Sequence, residues 1–160
     1  MPRESRRLTA WPPKAQNRRR LTAYLSTTRE NDVDSSLGPY CINVTDLERS
    51  IRFYVEGLGL AVESRNDISE TLKEAIVWKE GEGAMLQLAH HTDREGPLDH
   101  GNAFWKLYVN TDDCQGLYKR ALAAGAISIS EPKALDRWPV TIAFVEDPDG
   151  YTIELIEYHH

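Results

Sequence analysis

The residues able to do chemistry are few and scattered. His90 and His91 adjoin at the end of a strand-like run, so their imidazoles point to opposite faces and do not readily share one ion. His100 follows in a loop with Asp99, and His159 and His160 end the chain. These are either solvated histidines or, for one of His90, His91 and His100, part of a metal site with Glu154. Cys41 and Cys114 are nucleophile candidates with no evident neighbouring base, so buried packing is their expected use.

The elements that would position them come as a repeat. Pro39–Val44 alternates and leads to Asp46, a helix N-cap ahead of Leu47, Ile51, Phe53 and Tyr54, with a stop near Gly57 and Gly59. Lys106–Asn110 leads in the same way to Asp113, then Leu117, Tyr118, Ala121 and Leu122, with a stop at Gly125. Three strand-like runs follow each helix: Leu60–Ser64, Glu74–Trp78 and Ala84–Ala89, then Ile127–Ser130, Val140–Val145 and Tyr151–Ile156. Glu82-Gly83 and Asp149-Gly150 read as matching hairpin turns. An offset of 67 maps Pro39 on Lys106, Asp46 on Asp113, Gly83 on Gly150 and Gln87 on Glu154. The expected fold is α+β: two βαβββ modules, about 38–92 and 103–158, forming a cup-shaped mixed sheet with the helices outside.

Residues 1–36 show neither periodicity and contain Pro2, Pro12 and Pro13, so the domain is expected over 37–158. The leader reads either as a disordered tail or as an Arg-rich organelle transit peptide, which would make the protein mitochondrial instead of cytoplasmic. Residues 1–30 carry a formal charge of +6, which leaves −12 on the remainder. An acidic body repels polyphosphate and argues against nucleic acid as a partner. No apolar run approaches a membrane span, and two widely separated cysteines do not make a disulfide framework.

Two segments carry a family resemblance. Asp46-Leu-Glu-Arg-Ser50-Ile-Arg-Phe53-Tyr54 with Gly57-Leu-Gly59-Leu60, and the more specific Ala143-Phe-Val-Glu-Asp147-Pro-Asp149-Gly150-Tyr151 running into Ile153-Glu154-Leu155-Ile156-Glu157, resemble the vicinal oxygen chelate (glyoxalase/bleomycin resistance/dioxygenase) superfamily, most closely its glyoxalase I, or lactoylglutathione lyase, branch. The resemblance covers Gly38 to Tyr158. It implies a homodimer in which strands of two copies complete each cup. It also implies a divalent ion, Ni²⁺ or Zn²⁺, held by two residues from each module, beside a proton-moving carboxylate.

Carried over, the four ligand positions fall on Pro39, Gln87, Lys106 and Glu154, and Glu154 alone matches the family pattern. Proline has no side-chain donor, and a lysine beside a carboxylate keeps its proton. No metal is therefore expected, with Gln87 and Glu154 the ligands if one binds. Two arrangements stay open: Lys106 fills the place of the ion and pairs with Glu154, or Lys106 reaches to solvent.

If Lys106 points into the cup, alternation sends Trp105 to the helix layer as core and returns Tyr108 to the cup. Tyr40 and Trp78 either line the cup or pack under the helices. Asn43 and Gln87 are further ligand contacts from the first module. Lys133–Pro139 lies where the glyoxalase branch has a loop over its site, with Arg137 suited to an anionic group and Trp138 to an apolar wall, or is a plain surface hairpin. Two functions follow: an isomerase or lyase on a small oxygenated molecule such as the methylglyoxal–glutathione hemithioacetal, or a metal-free binding protein of the bleomycin-resistance type.

Overall fold

A computed structural model describes residues 35–159; the expectations for the leader, including a transit peptide, fall on residues outside it. The elements run β1 (Tyr40–Asn43), α1 (Leu47–Arg52), a π-helical turn (Phe53–Gly57), β2 (Ala61–Asp67), β3 (Leu72–Lys79), β4 (Glu82–His91), β5 (Leu107–Thr111), α2 (Cys114–Ala123), β6 (Ile127–Ala134), β7 (Val140–Glu146) and β8 (Thr152–Tyr158). The strands pair as two four-stranded mixed sheets of matching order, β1-β4-β3-β2 and β5-β8-β7-β6. This is the α+β pattern of two βαβββ modules. The first and last strands of each module run parallel and the rest antiparallel.

Both helices start where the repeated aspartates predict. Asp46 accepts from the Arg49 N–H at 3.0 Å, and Asp113 accepts from the Gly116 N–H at 2.8 Å. Each carboxylate thus satisfies a first-turn donor that the helix leaves open. The turn between β3 and β4 departs from expectation. It falls on Glu80-Gly81, and Glu82-Gly83 already opens β4, with Lys79 facing Glu82 across the ladder. Gly81 and Gly83 both take the left-handed conformation, so the glycine pair fitted two registers and Gly81 took the turn. β6 runs on through Lys133 and Ala134, which sequence reasoning placed in the loop.

One face of each sheet buries its alternate residues against a helix. Ala75, Val77 and Leu88 do so in the first module, and Ala143, Val145, Ile153 and Leu155 in the second, all fully enclosed. The modules meet where α2 crosses the π turn. Gly57 is needed there, because a Cβ on it would lie 2.9 Å from the Ala124 methyl. The Arg120 guanidinium also donates to the Gly57 carbonyl at 2.9 Å.

A polar clamp completes the joint. Asp149, in the β7–β8 turn, accepts from the Thr45 N–H (3.2 Å) and hydroxyl (2.5 Å), from Arg49 Nη2 (2.7 Å) and from the Ser50 hydroxyl (3.1 Å). Asp147 accepts from the Tyr54 hydroxyl at 2.8 Å and from the N–H groups of Asp149 and Tyr151, both at 2.9 Å. Burial pushes the Asp147 carboxyl above the ordinary carboxylate range, against the pull of those three donors. At a given pH the folded chain therefore holds that proton more tightly than the unfolded chain does. Asp147's contribution to stability is accordingly greatest in acid and falls as pH rises from the ordinary carboxylate range. Denaturant titrations at a series of pH values should show the advantage of the wild type over Asp147→Asn growing as pH falls; a constant or shrinking advantage contradicts this assignment.

Candidate functional site

In the second module, Ile153 and Leu155 turn into the core, so Glu154 between them emerges on the opposite face of β8. Its register partners are Tyr108 on β5 and Phe144 on β7, whose rings flank the carboxylate. Lys106, two residues before Tyr108, reaches the same face. Its Nζ donates to Glu154 Oε2 at 2.5 Å, and the two side chains are only 7% and 8% exposed.

The ammonium is also ringed by aromatics. Its nitrogen lies 3.9 Å from the Trp105 ring centre, 4.6 Å from Tyr108 and 5.3 Å from Phe144. Such placement favours the cation electrostatically. Burial opposes the charge on Lys106, but the hydrogen bond to Glu154 and its negative charge, with Tyr108 alongside, outweigh it, and the lysine is held above its ordinary range. It stays protonated at neutral pH, which suits an electrostatic role and not that of an amine nucleophile.

Trp105 is not core, contrary to the alternation argument. It is 76% exposed, because β5 begins only at Leu107 and residue 105 is outside the pleat that alternation describes. Tyr108, inside the strand, obeys alternation and shares the face of Glu154.

The first module presents Cys41, Asn43 and Gln87 together, on the face opposite the buried Ile42 and Leu88, with Cys41 and Gln87 as register partners. Among the described residues no hydrogen bond joins Gln87 or Asn43 to Lys106 or Glu154. Tyr40 is exposed and Trp78 half-buried. The Asn43 carbonyl accepts from the Tyr151 hydroxyl at 2.9 Å, which ties β1 to the start of β8. Beside this contact lies a cavity of about 180 Å³, lined by Cys41, Asn43, Asp99, His100, Phe104 and Tyr151.

Arg137 and Trp138 sit in the β6–β7 connection, with the guanidinium 5.4 Å from the indole centre. That connection adjoins the Tyr158 end of β8, since Val140 pairs with Tyr158. Four strand residues separate it from Glu154, roughly 13 Å at the usual rise. Within one chain these two residues do not join Lys106 and Glu154.

Cys41 is exposed, not packed inside. Its thiol is raised by partial burial and by Glu74, and the Cys114 thiol is pushed up to about 11 by burial. Neither is an activated nucleophile. His100 donates from Nε2 to the Asp149 carbonyl at 2.9 Å and stands edge-on to Tyr151, so its ring braces the clamp. Among the described residues no three His, Cys, Asp or Glu side chains converge as a metal-ligand group.

Sequence reasoning missed Phe144, the exposed placement of Trp105 against the Lys106 ammonium, and the clamp built on Asp147 and Asp149. The Asp-Pro-Asp-Gly run carries part of the family resemblance and reads locally as a turn, with no partner assigned to either carboxylate. A turn motif with two carboxylates, flanked by buried runs, was the available sign that the turn is covered.

Comparison with known proteins extends this picture. The family model described as the Glyoxalase/Bleomycin resistance protein/Dioxygenase superfamily matches residues 36–155. A probable lactoylglutathione lyase of Vibrio cholerae is 35% identical over 121 residues, covering 72% of this chain and 86% of the relative. A lactoylglutathione lyase of Neisseria meningitidis is 35% identical over 119 residues, with the same coverage. Among solved structures, glyoxalase I from Zea mays superposes with a TM-score of 0.67 at 27% identity, over 75% of this chain and 43% of the maize chain. The trypanothione-dependent glyoxalase I of Leishmania major gives 0.65 at 27% identity, over 78% and 87%.

Proposed function

Since the chain belongs to the glyoxalase/bleomycin resistance/dioxygenase superfamily, we propose that it acts on a small oxygenated molecule through the protonated Lys106 and not through a divalent ion. The observation that carries this reading is the enclosed Lys106–Glu154 contact. The residues present do not fit Ni²⁺ or Zn²⁺. Pro39 has no donor, Gln87 offers one neutral oxygen, and Glu154 is committed to an ammonium that no metal can share.

The chemistry follows from the two groups. Lys106 donates an N–H to a carbonyl oxygen and steadies the negative charge that develops there when a neighbouring C–H loses its proton. Glu154 accepts that proton and returns it one carbon away, which makes the reaction an isomerisation. The methylglyoxal–glutathione hemithioacetal, with a carbonyl beside a carbinol C–H, has the required arrangement. Gln87, Asn43, Tyr108, Arg137 and Trp138 are the substrate contacts of this reading. Those of the first module and of the β6–β7 connection reach the floor only if a second copy supplies them, so a homodimer belongs to it.

A second reading is sequestration without turnover. One observation favours it: Glu154 is already bonded to the Lys106 ammonium, while Trp105 and Tyr108 leave ring surface open for stacking.

An assay with methylglyoxal and glutathione, run with and without added Ni²⁺ or Zn²⁺, decides between them. Turnover that is indifferent to metal and lost in Glu154→Gln supports the enzyme. Thermal stabilisation by S-lactoylglutathione without turnover supports the binder. Turnover that appears only on adding metal overturns both.

A further inference from the structure

The Lys106 side chain is 7% exposed, yet two of the three rings around it stand mostly in water, Trp105 at 76% and Tyr108 at 61%. The ammonium is roofed by rings whose outer faces are wet. The rings differ in how they are held. Tyr108 lies in β5 and Phe144 in β7, each fixed by a ladder to β8 at the register of Glu154. Trp105 precedes β5 and is outside both sheets, in the connection that follows the turn at Gly101. Its contact with the Lys106 nitrogen is the shortest of the three, at 3.9 Å.

From this we infer that Trp105 is a gating residue: its ring occupies the place on the Lys106 ammonium that a ligand oxygen takes, and swings aside when the ligand enters. The inference rests on the small-molecule reading above and specifies the ligand. A group that displaces the ring must offer the ammonium a directional hydrogen bond in exchange for a cation–π contact. A carboxylate would do so, but it would bring a second negative charge beside Glu154. A neutral carbonyl oxygen gains the hydrogen bond without that repulsion. The gate therefore selects uncharged carbonyl groups over free acids.

The gate is tested without any ligand by reductive methylation of the folded protein, followed residue by residue by mass spectrometry. Lys119 and Lys133 are exposed and serve as internal references. Lys106 should lag behind them in the wild type. Trp105→Ala should raise its rate roughly tenfold relative to them, the factor that one cation–π contact of ordinary strength controls, and Trp105→Phe should keep most of the protection. Unchanged protection of Lys106 in Trp105→Ala, with the melting temperature also unchanged, overturns the gate.

The ligand class is tested separately by fluorescence titration with hydroxyacetone and with acetate. Hydroxyacetone should bind more tightly than acetate, should change wild-type emission by an amount absent in Trp105→Phe, and should bind several-fold more tightly to Trp105→Ala. Acetate binding the more tightly overturns the ligand class. Failure of both probes, with methylation behaving as expected, places the fault in the small-molecule reading and the ligand class and not in the gate.

Discussion

Lys106→Met should destabilise the protein by about 3 kcal/mol or more, whereas Lys106→Met combined with Glu154→Leu should recover much of that loss. The single change removes the charge that Glu154 faces and leaves an enclosed carboxylate without a partner. The double change replaces both charges with apolar groups of similar volume, beside Phe144 and the aliphatic Ile142 and Ile156 of the same face. For a domain of this size a loss of 3 kcal/mol lowers Tm by roughly 10 °C, well within the reach of a thermal melt. If the double variant is no more stable than the single one, Lys106 and Glu154 are not an obligate pair and the floor of the site is organised otherwise. The same substitutions carry a functional prediction, because Lys106→Met should abolish ligand-induced stabilisation even where the protein remains folded.

A comparable effect is expected at the clamp. Asp149→Ala removes an acceptor that serves Thr45, Arg49 and Ser50 at once, from a side chain only 2% exposed. Ser50 retains a second acceptor in the Asp46 carbonyl, and Arg49, 40% exposed, can be rehydrated. The largest share of the cost therefore falls on the half-buried Thr45, whose N–H and hydroxyl both lose their acceptor. A loss of about 2–4 kcal/mol follows from stranded donors of this kind, and Asp149→Asn, which keeps one oxygen, should cost less. Equilibrium denaturation of the two variants measures it. Equal and small losses would mean that the contacts at Asp149 contribute little to holding the modules together.

How much of this was legible in the residues differs by element. The helix starts were, because Asp46 and Asp113 act on donors three residues away in their own segments. So was the module repeat, whose offset of 67 maps β1 and α1 on β5 and α2 and the last strand β4 on β8. The β3–β4 turn was less so, since two glycines two residues apart served equally well and cross-strand pairing chose between them. Trp105 was misplaced because alternation was applied two residues outside the strand that generates it.

The partners of the clamp were invisible for a different reason. Asp147 and Asp149 meet partners about a hundred residues away, and nothing local to a turn reports what will cover it. The Lys106–Glu154 contact lies between. Its two positions could be paired only once β5 and β8 were known to be neighbours, and that came from a family resemblance and not from periodicity.

The central claim is that an ammonium does the electrostatic work at this site, and metal analysis of the purified, dialysed protein tests it most directly. After equilibration with excess Ni²⁺ or Zn²⁺ and exhaustive dialysis, the account predicts far less than one ion per chain, with the residue unaffected by Glu154→Gln. One tightly held ion per site, lost in Glu154→Gln, would contradict it.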